Sequence, residues 1–528
     1  MLESFPEDIE KLKKQIALLT QEKALLEQDN IAKQKQIARL ENIIIDFKRN
    51  TFGSKSEKLD SEDYFQSRLF NEAEANASTP DGLYDGHSET EHIKSYERKK
   101  PGRKPLPSNL PRKEIIHDIP DSEKICDCKN ELVKIGEEVS EKLGYVPAQV
   151  YVEKHIKLKY ACKRCEGDER NEFGKIVVTA GTPPELYPKS ILTPELFAYI
   201  IISKYLDHIP FYRMEKILLR HSIEITRATF SNWTIGVYER HKHLFSFMKE
   251  FLLSGPLLGI DESPLQVHNE RERSDTQKSF MWHIRGGTAL RPMLWYIYRE
   301  TRSADFLVKY LQKYYGIIQM DGYTSYDAHF RTHESIIHAG CMAHVRRQFD
   351  KIWKAVKNPI AGEALLMIRK LYHVEREIRN LKLHKKELFS EIVRIRQEQS
   401  KPTFEALNIY LKDVIQKQPS SLALGQAINY ALGQWSKLEA YLSHGECYID
   451  NNLVENGIRP FALGRKNWLF SGCPEGAEAS AFWYSFLLTA KANGRNPNVA
   501  LLEFLKGLPY CNAPDDCKVL FSNVMGWG

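Results

Sequence analysis

A chain of 528 residues is too long for a single hydrophobic core and should divide into three or more domains. With 42% hydrophobic and 27% charged residues, and no apolar run near the roughly 20 residues of a membrane span, the composition excludes an integral membrane protein and describes a globular one. The formal net charge of +6 permits nucleic-acid binding without requiring it. The segment MLESFPEDIEKLKKQ lacks the apolar core of a secretion signal, so the cytoplasm is the expected location. The nine Cys are scattered rather than paired in a frame, as expected of reduced thiols with one metal site among them.

Residues 8–48 carry a heptad seam of Ile9, Leu12, Ile16, Leu19, Leu26, Ile37, Leu40, Ile44 and Phe47, interrupted by Lys23, Asn30 and Lys33. Apolar residues sustained at this spacing predict a coiled coil, and a seam Asn favours a two-stranded one. We therefore read residues 1–59 as an oligomerisation helix ending in a basic exit with Lys48, Arg49, Lys55 and Lys58. An amphipathic helix packing on its own chain is the plainer alternative. Residues 60–111 form a polar linker without periodicity, closing on RKKPGRKP. There Arg103 and Lys104 sit in a short extended Gly-Arg segment that resembles the core of an AT-hook, suited to a narrow A·T-rich minor groove.

Residues 112–182 contain Cys126 and Cys128, then Cys162 and Cys165 after a strand-rich stretch. The second pair has the two-residue spacing of a zinc knuckle. The first pair is one residue tighter, and His117 or His155 is available as a substitute ligand. Residues 183–252 are helical. Within them MEKILLRHSIEITRATFSNWTIGV reads as helix, turn at His221 and Ser222, and a second helix from near Thr226. Arg227, Thr229, Ser231 and Asn232 would face a DNA groove; the alternative is a hairpin that only buttresses its neighbours.

In residues 253–356 the run LLGID ends in Asp261 and the run IIQMD ends in Asp321. Between them come two strand-like runs, KSFMWHIRGG and RPMLWYIYRE, then a helix with Phe306, Leu307, Tyr310 and Leu311 at helical spacing. After Asp321 follow the short run SIIHAGC and the helical stretch AHVRRQFDKIWKA. Three strands, a helix, a strand and a helix, with acids on the first and fourth strands, is the ribonuclease-H-like plan. Residues 357–445 read as a Lys- and Arg-rich helical insertion, and residues 446–494 return to the core with IDNNLVENGIRPF. On a helix, Asn452, Glu455 and Arg459 share one face. Arg459, Arg465 and Lys466 are candidates to hold phosphates. Asp450 rivals Glu455 as third acid but stands where a helix cap is needed. Residues 495–528 read as a tail. Two strand-borne Asp and one helix-borne Glu suit a pair of hard divalent cations, which prefer oxygen ligands and support phosphoryl transfer.

The chain resembles the transposases of the insertion sequence 66 family, a DDE class of bacterial mobile elements. The resemblance rests on FGSKSEKL, GRKPLPSNLPR, YACKRCEG, LDHIPFYRMEKIL, GIDESPLQV, MDGYTSYD, HAGCMAHVRRQF and DNNLVENGIRPFALGRKNWLFSG, and so spans nearly the whole chain. It implies that Asp261, Asp321 and Glu455 are the catalytic acids. They would hold two Mg²⁺ or Mn²⁺ ions, with a structural Zn²⁺ elsewhere. It further implies binding to terminal inverted repeats, one-strand cleavage by activated water and attack of the freed 3′-hydroxyl on target DNA. A homo-oligomer, at least a dimer, is implied by the need to pair two ends, and accessory proteins of the same element often assist such enzymes. One departure stands out: Lys129 occupies the place where the family has a further Cys. The alternative function is a DNA-binding regulator derived from a transposase that does not cut.

Overall fold

The computed structural model describes residues 14–23, 25–27, 29, 33, 36, 40, 112–114, 116, 140, 142, 149–161, 177–303, 305–312, 314–321, 336–380 and 388–527. Two compact units emerge, residues 78–182 and the rest of the chain. In the smaller unit, β1 (Lys159–Ala161) and β2 (Val177–Thr179) form an antiparallel pair with Tyr160 opposite Val178. Cys126, Cys128, Cys162, Cys165, Arg103 and Lys104 lie outside the described residues. Residues 14–23 are helical, and Ile16, Leu19, Leu26 and Leu40 of the heptad seam are exposed. The remaining apolar seam residues fall outside the described set.

The body of the larger unit begins with α1 (Pro194–Tyr205), α2 (Phe211–Leu219), α3 (Arg227–His241) and α4 (His243–Leu252). Thr193 and Thr226 cap α1 and α3 by accepting the N–H groups of Leu196 and Thr229, which otherwise lack partners inside the helix. Three antiparallel strands follow, β3 (Leu257–Val267), β4 (Lys278–Thr288) and β5 (Arg291–Arg299). The short helix α5 (Asp305–Tyr310) leads to β6 (Gly316–Gln319), and β7 (Ile336–Ala339) comes next. The sheet order is β5-β4-β3-β6-β7, with β3, β6 and β7 parallel. As the central strand, β3 is buried along most of its length, polar Glu262 and Ser263 included.

From β7 the chain enters α6 (Met342–Val356) and then α7 (Pro359–Asn380) and α8 (Leu388–Ile395). A π-turn at Arg396–Ser400 joins α8 to α9 (Lys401–Gln416), followed by α10 (Ala423–Gly433) and α11 (Trp435–Ser443). These helices build a core of their own from Val345, Phe349, Leu371, Leu407, Leu411 and Ile428, which meets the sheet at Ile317 and Ala339. The chain returns through α12 (Asn452–Trp468), and β8 (Phe470–Ser471) pairs in parallel with the end of β3. Last come α13 (Pro474–Ala492), α14 (Pro497–Gly507) and α15 (Pro514–Met525). Residues 495–528, expected as a tail, instead bury Leu501, Phe504, Leu505 and Phe521 in the main core with Trp282, Trp295 and Trp483. Phe230 and Trp233 of α3 join the same core, where α3 packs against α13. Among the described residues no helix is long and apolar enough to cross a membrane.

The edge strand β5 would expose a row of unpaired backbone groups, but α13 covers it. Ser485 Oγ accepts the N–H of Tyr296 at 2.8 Å, and Thr489 Oγ1 both accepts from Leu294 N and donates to Leu294 O at 3.1 Å. Asn493 Nδ2 donates to Pro292 O at 2.9 Å.

Candidate functional site

Parallel register brings the two aspartates together. Gly259 of β3 is paired with Gln319 of β6. Two residues further along the chain stand Asp261, still within β3, and Asp321, just past the end of β6, near enough for their charges to interact. The carboxyl ends of parallel strands are where open sheets form binding crevices. Glu455 approaches from the first turn of α12, where the positive end of the helix dipole favours a carboxylate.

The start of α12 is fastened to β3 by Asn451. This buried side chain donates from Nδ2 to Ile260 O at 3.1 Å, one residue before Asp261, while its backbone N–H donates to Cys341 Sγ at 3.2 Å. Two glycines allow the helix to lie close. A Cβ at Gly259 would fall 2.2 Å from Val454 Cγ2, and one at Gly457 would fall 2.2 Å from His283 Nε2. Tyr296 also donates its hydroxyl to the Gly457 carbonyl. Asp450 is spent otherwise: it accepts Asn452 N at 3.1 Å, Asn452 Nδ2 at 2.8 Å and the Tyr372 hydroxyl at 2.9 Å. It ties down the first residue of the helix from the position before the N-cap, which is Asn451 rather than the Asp450 expected from the sequence.

Burial raises the Asp261 carboxyl well above the usual carboxylate range, and the negative charges of Glu262, Glu455 and Asp321 push it further. Glu262 is balanced by Arg302, whose Nε donates to its Oε1 at 2.6 Å. The crowding of Asp261, Asp321 and Glu455 is the situation a divalent cation relieves, and an all-oxygen set fits Mg²⁺ or Mn²⁺. On the other side of Glu455, His344 Nδ1 lies 3.7 Å from Oε1 and Arg347 Nη2 lies 3.5 Å from Oε2. Burial holds the His344 imidazole down at about 3, assisted by the positive charges of Arg347 and Lys351.

Cys341, His344 and Glu455 place one ligand atom each within 4.8 Å of one another. Burial and the charges of Glu455 and Asp450 push the Cys341 thiol up, so it stays a neutral acceptor and a poor ligand. The carboxylate set is the better cation site. Cys341, His344 and Arg347 were not singled out in the sequence as site residues. The Cys-x-x-His spacing at the head of α6 was the signal that could have found them.

The other candidates fall in different settings. Asn452 and Lys466 are exposed on α12, and Arg459 and Arg465 are partly buried there. Arg465 donates from Nη1 to Pro264 O of β3, so this guanidinium braces the helix against the sheet. Arg227 and Asn232 are exposed at the start of α3, with Thr229 partly buried. Cys341, Cys447, Cys473, Cys511 and Cys517 are free thiols.

Comparison with known proteins agrees with this architecture. A family model described as transposase IS66 family matches residues 189–479, which span the sheet, the helical insertion and α12. The zinc-finger binding domain of transposase IS66 matches residues 123–166, a span holding all four paired Cys, and a model described as transposase C of IS166 homeodomain matches residues 39–115. Three uncharacterized proteins of Sinorhizobium fredii are similar. The protein y4jD is 32% identical over 76% of this chain and 77% of its own length. The protein y4qI is 30% identical over 93% and 92%, and y4hP is 26% identical over 79% and 76%. With more than half of its length matched by the family model and a relative at this identity aligned over nearly all of it, the chain belongs to the IS66 family of transposases.

Proposed function

We propose that the chain binds the terminal inverted repeats of its element, cuts one DNA strand and joins the freed end to target DNA, with Asp261, Asp321 and Glu455 as the catalytic acids. The observation that carries this reading is the convergence of three carboxylates: Glu455 and Asp321 lie near enough to add to the burial that raises Asp261. The sheet order and the placement of the acids support a ribonuclease-H-like core. Bound among these carboxylates, two divalent cations would lower the charge on the attacked phosphate and support the leaving oxygen. Asp261, within β3, and Asp321, just past the end of β6, supply the sheet side of such a site. Glu455 supplies the other, positioned through Asn451 and the close approach at Gly259. In cleavage a water oxygen bonds to phosphorus and the bond to O3′ breaks. In strand transfer the 3′-hydroxyl is the nucleophile, so one phosphodiester replaces another and no energy cofactor is needed.

The match to the family's zinc-finger domain supports a structural Zn²⁺ on Cys126, Cys128, Cys162 and Cys165. The exposed seam residues Ile16, Leu19 and Leu26 support pairing of two copies through the N-terminal helix. Duplex DNA is the partner, with Arg103, Lys104, Arg227, Thr229, Asn232, Asn452, Arg459, Arg465 and Lys466 as contact residues.

Asp261→Asn, Asp321→Asn and Glu455→Gln should each lower metal-dependent nicking of end-bearing DNA by at least about 10²-fold while leaving end binding within a few fold. Loss of binding in all three would assign the acids a structural role. Binding without cutting by the unaltered chain would favour the non-cutting regulator.

A further inference from the structure

Helix α6 leaves the sheet beside the candidate site, and its two faces differ. Met342, Val345, Phe349 and Ile352 are buried on one. On another, His344, Arg347 and Lys351 follow at steps of three and four and therefore form one line along the helix. The line starts at Glu455, which His344 and Arg347 approach to 3.7 and 3.5 Å, and runs away from it. At about 1.5 Å of rise per residue, Arg347 and Lys351 stand about 6 Å apart, comparable to consecutive phosphates along one strand.

The Arg347–Glu455 contact is looser than a charge-assisted hydrogen bond of about 2.8 Å. Turning Glu455 to a cation would therefore break no tight ion pair between these two residues. A guanidinium so placed matches the oxygens of a phosphate, and a lysine one turn later extends the same track as a point charge. We propose that Arg347 and Lys351 hold two phosphates of the DNA strand next to the scissile bond, with α6 acting as the rail that leads the strand into the acidic site. The proposal rests on the reading of Asp261, Asp321 and Glu455 as the cutting site.

Each phosphate contact contributes about one to the slope of log affinity against log salt. The test uses the full chain and a fluorescent duplex taken from DNA flanking its coding sequence, with binding measured across a salt series in Mg²⁺. Arg347→Gln and Lys351→Gln should each flatten the slope by about one, and Arg347→Lys should keep it. Lys417→Gln, on the exposed end of α9, is the control and should leave it unchanged. Thermal unfolding of each variant separates loss of a contact from loss of the fold. Slopes equal to that of the unaltered chain in both glutamine variants would overturn the rail. Nicking of the same duplex is scored separately. A flattened slope without any nicking by the unaltered chain would keep the rail and remove the cutting reading. Nicking with unchanged slopes would do the reverse.

Discussion

Burial, and then the charges of Glu262, Glu455 and Asp321, oppose ionisation of Asp261. A carboxyl whose folded value is raised adds stability that is complete below its unfolded value, and that stability is lost as pH rises through the folded value. At any pH above the folded value the ionised group is a net cost to the metal-free fold. Asp261→Asn should therefore raise stability in EDTA by about 1 kcal/mol, as substitutions at strained sites commonly do, while abolishing nicking. The gain should shrink in acid, where Asp261 is protonated anyway. Mg²⁺ should raise the melting temperature of the unaltered chain and leave that of the variant nearly unchanged. A lower melting temperature for Asp261→Asn in EDTA would show that the crowding is already relieved by other means. Asp261 and Asp321 were legible in the sequence because each ends an apolar run, and Glu455 because a polar helix segment gathers Asn452 and Arg459 on its face. Arg347 and Lys351 were not, since a basic stripe on an amphipathic helix reads the same whether it faces water or phosphate.

Among the elements, α12 and α13 do work that their sequences disguise. The first depends on absent side chains. Gly259→Ala would drive a methyl into Val454 and push the helix off β3, moving Glu455 from the aspartates. We expect a loss of about 1–3 kcal/mol from overpacking and at least about tenfold slower nicking, with end binding retained. Nicking at the normal rate would mean that Glu455 needs no such close placement. The second helix, α13, is buried from Ala479 to Ala490, and within that run Ser485 and Thr489 hydrogen-bond the β5 edge. Thr489→Val keeps the shape and strips Leu294 of both partners, which should cost about 1–3 kcal/mol in chemical denaturation. A cost near zero would mean that water reaches that edge. Strand and helix order could be read from hydrophobic periodicity. The contacts that fix helix to sheet could not, because they depend on pairs of residues far apart in the chain. The same holds for residues 495–528, whose polar Asn and Asp masked two core helices.

At the scale of the molecule, the long excursion from β7 to α12 must return Glu455 to a fixed point. Its helical character was legible from the apolar spacing of residues 357–445, but its latch was not, because Arg396 is one cation in a basic run. Arg396 sits buried in the π-turn, paired through Nε and Nη2 with both oxygens of Glu375 at 2.7 Å. It also donates to the carbonyls of Tyr441, His444 and Cys447 on the returning segment at 2.8, 3.1 and 3.0 Å. Tyr372, on the same helix α7 as Glu375, holds Asp450 at the start of α12. One helix of the insertion thus grips the return path at two places. Removing one member of a buried ion pair leaves the other uncompensated and costs about 3–5 kcal/mol, whereas replacing both with apolar residues of similar size is often neutral. Arg396→Met should therefore open the insertion, exposing residues 357–445 to limited proteolysis before the rest of the larger unit, and nicking should fall while end binding persists. Joining it with Glu375→Leu should restore resistance to protease but only part of the nicking, because the carbonyls of the returning segment stay unheld. If the single variant resists protease as the unaltered chain does, the insertion is held by its apolar core alone, and Arg396 has no part in placing Glu455.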